Sequence, residues 1–92
     1  MTSEIINNQK TLPDRVKIKT WIINYIADLL EVESSKIDAS IPFDRYGLDS
    51  SAAVGLAGDL EDWLDEELDP TMLYDYPTID SLTEHLVAEL SN

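Results

Sequence analysis

Three stretches of this 92-residue chain carry apolar residues at the spacing of one helix face, and that periodicity leaves few folds open. In the first, Ile18, Ile22, Ile26 and Leu29 line one side, and Trp21, Ile23, Tyr25 and Leu30 widen the stripe. The spacing predicts an amphipathic helix from Arg15 to about Glu31, started by Pro13-Asp14 with Asp14 as N-cap. Its β-branched residues also suit a strand, but they do not alternate and the segment is too long for one. In the second stretch Ala53, Leu56, Ala57, Leu60, Leu64 and Leu68 mark the buried side. Asp59, Glu61, Asp62, Asp65 and Glu66 crowd the rest, which predicts a helix from Ser50 to about Leu68, roughly 28 Å long. In the third, Thr78 is the expected N-cap of a helix lined by Ile79, Leu82, Leu86 and Leu90. Asp69-Pro70 opens a short helix before it, running to about Asp75 and stopped by Pro77.

The expected fold is therefore all-α: a small four-helix bundle of three longer helices and one short one, with a long loop between the first two. Residues 33–49 lack helical periodicity and contain Pro42 and Gly47. A loop of that length in a small domain usually has a purpose. Ile37, Ile41 and Phe43 are expected to pin it onto the helices. Residues 1–13 are polar and aperiodic and read as a flexible lead-in, with 14–92 forming a single domain. Gly55 and Gly58 each cost the second helix about 1 kcal/mol relative to Ala. Either they permit a close approach or they are tolerated defects.

Composition removes several chemistries. The absence of cysteine excludes disulfides, thiolate zinc sites and cysteine nucleophiles. His85 is the one histidine, so a histidine pair is excluded and no metal site is expected. Neither acidic cluster has the spaced ligands and mid-loop glycine of an EF-hand. The N-terminus lacks the apolar run of a signal peptide or a membrane span, and the expected location is the cytoplasm with no membrane partner. The net charge of −13 is unevenly placed. All six basic residues (Lys10, Arg15, Lys17, Lys19, Lys36 and Arg45) precede residue 46, whereas residues 46–92 hold twelve acids and no Lys or Arg. That sign excludes nucleic acid as a partner. It suits steering toward basic protein surfaces, or simply solubility.

The run Gly47-Leu48-Asp49-Ser50 carries the chemistry. Gly47 lets the backbone turn out of the loop, and Leu48 can drop into the core. Asp49 and Ser50 then stand where the first N–H groups of the second helix are unpaired. A hydroxyl there is exposed, and a phosphate attached to it meets those donors and the positive end of the helix dipole, worth about 0.3–1 kcal/mol. Alone, the four residues read first as an ordinary N-cap, and the wider context reverses that weighting.

Over residues 14 to 91 the chain resembles the acyl carrier proteins. Gly47-Leu48-Asp49-Ser50 is similar to their attachment motif, and the preceding helix, the loop with Ile37 and Pro42-Phe43, and the acidic helix match in order and spacing. Asp49 favours acyl over peptidyl carriers, which usually have His before the serine. Leu60-Glu61-Asp62-Trp63-Leu64 and Tyr74-Asp75-Tyr76-Pro77-Thr78-Ile79 resemble modular polyketide-synthase carriers, and within that group those loaded by fatty acyl-AMP ligases. The resemblance implies a 4'-phosphopantetheine arm, covalently attached at Ser50 from coenzyme A by a phosphopantetheinyl transferase. It implies acyl thioesters carried to a ketosynthase and tailoring enzymes by a monomer that performs no catalysis itself. Asp49 is the motif neighbour, and Ser51, Val54, Glu61 and Asp62 are the candidate partner contacts.

Two positions depart from the family. Ser51 replaces the usual Leu or Met after the modified serine, which affects partner contacts and raises the question of which hydroxyl is modified; motif position favours Ser50. Gly55 stands where many fatty-acid-synthesis carriers have Glu. Trp63, flanked by acids, reads as either a partner contact or edge packing, and Val54 as either partner-facing or core. His85 reads as a surface or half-buried helix residue. Two rivals remain: an acidic helical adaptor binding a basic protein without a prosthetic group, and a serine hydrolase. The second is disfavoured because the nucleophile elbow needs glycines where Leu48 and Ala52 stand.

Overall fold

A computed structural model describes residues 14–69 and 71–90. The expected lead-in over residues 1–13 and the expected helix start at Pro70 lie outside the described residues. The chain forms α1 (Arg15–Leu30), α2 (Ser50–Leu64), the short α3 (Met72–Asp75) and α4 (Ile79–Leu90), with no strand among the described residues. Two 3-10 turns, Ser34–Lys36 and Phe43–Tyr46, interrupt the long loop.

Asp14 caps α1 as its position predicts, its carboxylate accepting the Lys17 N–H at 3.0 Å. Ile18, Ile22 and Ile26 are fully buried, but Leu29 is 47% exposed and Ala27 takes its place in the core. The reason lies in the next segment. The Ser34–Lys36 turn folds back on α1, sharing a shallow pocket with Ile23, so the covered flank at the helix end rotates away from Leu29.

The stripe of α2 is buried as expected at Ala53, Leu56, Ala57, Leu60 and Leu64. The helix ends four residues early, however, with 15 residues and a length of about 22 Å. Asp65 adopts the left-handed conformation (φ 56°), and the Glu66 N–H closes onto the Glu61 carbonyl at 3.2 Å. Leu68 still packs, half-buried, against the core, and its N–H donates to the Glu61 carboxylate at 2.7 Å. Glu31 ends α1 in the same way (φ 58°), with the Val32 N–H on the Ala27 carbonyl.

Ile37 and Phe43 pin the loop, while Ile41 is only half-buried and Ala39 is the third buried residue. Backbone bonds complete the attachment: Phe43 N–H to the Pro77 carbonyl at 2.7 Å, and Asp80 N–H to the Ala39 carbonyl at 3.0 Å. The Tyr46 hydroxyl, which accepts from the Asp38 N–H at 2.7 Å and donates to its carbonyl at 2.8 Å, ties the loop to itself. The middle of the loop is thus held against Pro77 and the first turn of α4, ahead of Gly47–Ser50. Before α3, Asp69 accepts both the N–H and the hydroxyl of Thr71, and these bonds hold its carboxyl below the usual carboxylate range. Thr78 caps α4 by accepting from the Ser81 N–H at 3.0 Å, and Ser81 reciprocates toward the Thr78 N–H.

Neither glycine of α2 serves a close approach inside the domain. A Cβ at Gly58 would meet nothing within 4 Å, and one at Gly55 would only touch the Tyr25 hydroxyl at 3.5 Å. The Thr83 hydroxyl is buried with no hydrogen-bond partner among the described residues.

Candidate functional site

Gly47 makes the turn into α2 in the left-handed region, at φ 77°, where a side chain is strained. Leu48 follows it half-buried against the core, as anticipated. Asp49 is the N-cap: its backbone is extended, its Oδ1 accepts the Ala52 N–H at 2.9 Å and its carbonyl accepts the Ala53 N–H. Ser50 is consequently the first helical residue, not the cap. Its N–H and that of Ser51 lie in the turn that has no intrahelical acceptors. With Asp49 performing the capping, the Ser50 hydroxyl is exposed and has no capping role.

Ser50 borders a cleft of about 490 Å³, within the size range of small-molecule sites. Pro42, Phe43, Leu48, Ala53, Leu73 and Pro77 supply apolar lining, and Tyr74 joins them. Its charged lining residues are Asp44, Arg45 and Asp49. Among the lining residues, the loop supplies those before Asp49, α2 supplies Ser50 and Ala53, and α3 supplies Leu73 and Tyr74.

The six residues singled out by sequence fall into three groups. Asp49 and Ser50 meet at the cleft. Ser51 and Val54 are exposed, and Val54 at 57% is outside the core. One turn or more farther along, Asp62 is exposed, whereas one oxygen of Glu61 is engaged by the Leu68 N–H. Of the two readings of Trp63, packing at the bundle edge is the one observed. Its ring stacks on Trp21 at 5.3 Å, which stacks in turn on Tyr25, yet 37% of it remains exposed. Burial, aided by the neighbouring Asp59 carboxylate, pushes the Tyr25 phenol up. His85 is half-buried and stacks on Tyr76 at 4.1 Å.

Arg45, Leu73 and Tyr74 were not identified from sequence as site residues. Tyr74 lies inside the Tyr74–Ile79 stretch, but only the fold brings it to the same cleft as Ser50. Among the described residues no group of three or more His, Asp or Glu side chains is placed to hold a metal ion, and no helix is long and apolar enough to cross a membrane.

The site's chemistry fits a phosphopantetheine arm: an exposed hydroxyl at a helix start, with N–H donors beside it and a partly apolar cleft within reach. Comparison with known proteins agrees. The family model described as "Phosphopantetheine attachment site" matches residues 20–86. The acyl carrier protein TtuC of Teredinibacter turnerae is 52% identical over 46 residues, which are 50% of this chain and 53% of that one. Polyketide synthase PksL of Bacillus subtilis is 27% identical over 88 residues, 96% of this chain and 2% of that protein. The chain thus spans about half the length of the first relative and a small fraction of the second. Among solved structures, a free-standing peptidyl carrier protein from an Acinetobacter baumannii secondary metabolic pathway superimposes with a TM-score of 0.78 at 44% identity. That alignment covers 89% of this chain and 99% of the other. A helical bundle with its serine poised on the cleft, matched over most of its length by that family model, makes this chain a member of the phosphopantetheine attachment-site family.

Proposed function

We propose that the chain, with residues 14–92 as its carrier unit, holds acyl intermediates as thioesters on a phosphopantetheine arm at Ser50 and passes them between enzymes of a polyketide- or lipid-type pathway. The observation that carries this reading is the position of Ser50: relieved of capping by Asp49, exposed, and on the cleft. Ser51 is also exposed but does not line the cleft, a difference that favours Ser50 as the modified hydroxyl. During transfer the Ser50 Oγ forms a new P–O bond as the pyrophosphate linkage of coenzyme A breaks. Adenosine bisphosphate leaves, and the hydroxyl proton passes to the transferase. The N–H groups at the start of α2 then face the phosphodiester. Once attached, the arm supplies a thiol that carries the acyl group, while the chain presents it and catalyses nothing.

Partners meet the exposed face through Ser51, Val54 and Asp62, with Glu61 at its edge, in small, brief and electrostatically assisted interfaces. The proposed loading enzyme is a fatty acyl-AMP ligase, on the likeness of Leu60–Leu64 and Tyr74–Ile79 to carriers of that kind. The protein works as a cytoplasmic monomer in this reading. A peptidyl cargo is the second reading, favoured by the 44% identical peptidyl carrier.

Incubation with coenzyme A, magnesium ion and a broad-specificity transferase tests the arm by intact mass. One adduct per chain is expected, and no adduct on folded apo protein contradicts the proposal. Holo protein offered a fatty acid or an amino acid, ATP and the corresponding ligase or adenylation enzyme separates the cargoes. An acyl thioester supports the first reading, and an aminoacyl thioester alone supports the second.

A further inference from the structure

We propose that Arg45 is a positioning residue for the arm. On this inference, which rests on the Ser50 reading, its guanidinium pairs with the phosphodiester and biases the arm to lie in the cleft toward α3 instead of projecting into solvent. Four observations meet here. Arg45 and Ser50 line the same cleft, although they stand five positions apart in sequence. Arg45 is the one cation among its lining residues. It is exposed and forms no ion pair among the described residues, whereas Arg15 is paired with Glu84 and Lys19 with Asp80. From α3, Tyr74, 67% exposed, lines the cleft beside buried Leu73, giving an amide-rich arm an apolar and aromatic surface to cover.

Charge decides why this one residue matters. Asp44 and Asp49 already line the cleft, so a phosphodiester at Ser50 adds a third anion. Without a cation that arrangement drives the arm outward by repulsion. A guanidinium offers paired N–H donors suited to two phosphate oxygens, which a lysine supplies only as a point charge. Because the site is open to water, the preference is modest, a population ratio of about two- to fivefold, and it weakens with salt.

The test compares amide chemical shifts of the apo and holo forms in the ¹⁵N-labelled protein, for the wild type, Arg45→Gln and Arg45→Lys. In the wild type, attachment is expected to shift Leu73 and Tyr74, remote in sequence, as well as Ser51–Ala53. Arg45→Gln reduces the Leu73 and Tyr74 shifts about two- to fivefold and leaves those at Ser51–Ala53 in place, while Arg45→Lys retains part of the effect. Raising salt on the wild-type holo protein reproduces the reduction without any substitution. Shifts confined to Asp49–Ala53 in the wild type, or Leu73 and Tyr74 shifts indifferent to Arg45→Gln and to salt, overturn this inference alone. Failure to form any adduct overturns the Ser50 reading with it.

Discussion

The two long helices are built alike at their ends and differently on their outer faces. Both α1 and α2 begin with an aspartate that caps the residue three places on, Asp14 for Lys17 and Asp49 for Ala52. Both end with an acidic residue in the left-handed conformation, Glu31 and Asp65. Outside, they diverge. Arg15 and Lys19 of α1 reach across to Glu84 and Asp80 of α4, so two of its cations pair within the domain. The exposed face of α2 holds Ser51, Val54, Gly55, Gly58 and Asp62, and no ion pair of the described residues involves this helix. One helix uses its outer charges within the domain. The other leaves a low, acidic surface that begins at Ser50, and that asymmetry gives the carrier reading a direction of approach.

The largest effect expected from this contrast is between the two sides of α2 itself. Leu60→Ala, at a fully buried position, should cost about 2–5 kcal/mol in urea unfolding, whereas Val54→Ala should stay within about 0.5 kcal/mol. Equal losses would place Val54 in the core and remove it from the partner face. The caps sharpen the likeness between the helices: Asp14→Ala and Asp49→Ala should each lose about 1 kcal/mol of stability. A loss only at Asp14 would mean that Asp49 serves the site and not the helix. The smallest effect concerns steering. Asp62→Lys should lower the transferase kcat/KM about two- to fivefold at low salt, while Lys17→Glu leaves it unchanged. Equal responses would contradict the proposed approach along α2.

What the sequence made legible follows the physics of each feature. The inward stripes of α2 and α4 are set by period alone, and Ala53, Leu56, Leu60, Leu82 and Leu86 are buried where that period puts them. The end of α2 was not legible because Asp65 takes the left-handed conformation without the glycine that usually announces it. Leu29 matched the period of α1, but its exposure depends on where a separate loop folds back, which is a tertiary matter. The Thr78 cap was visible; Ser81, its reciprocal partner, stands where a capping box usually has Glu or Gln, so the signal was muted. At the site, Gly47, Leu48, Asp49 and Ser50 are contiguous and could be read together. Arg45 and Tyr74 join them only because the Phe43–Pro77 and Tyr46–Asp38 bonds set the path of the loop. Local chemistry was readable, and the rest of the cleft was not.

The central claim is that Ser50, and not its neighbour Ser51, receives the arm. Wild type, Ser50→Ala and Ser51→Ala, each incubated with coenzyme A, magnesium ion and a broad-specificity transferase, give the answer by intact mass. The account predicts one phosphopantetheine adduct on the wild type and on Ser51→Ala, and none on folded Ser50→Ala. An adduct that survives in Ser50→Ala, or that disappears only in Ser51→Ala, would contradict it.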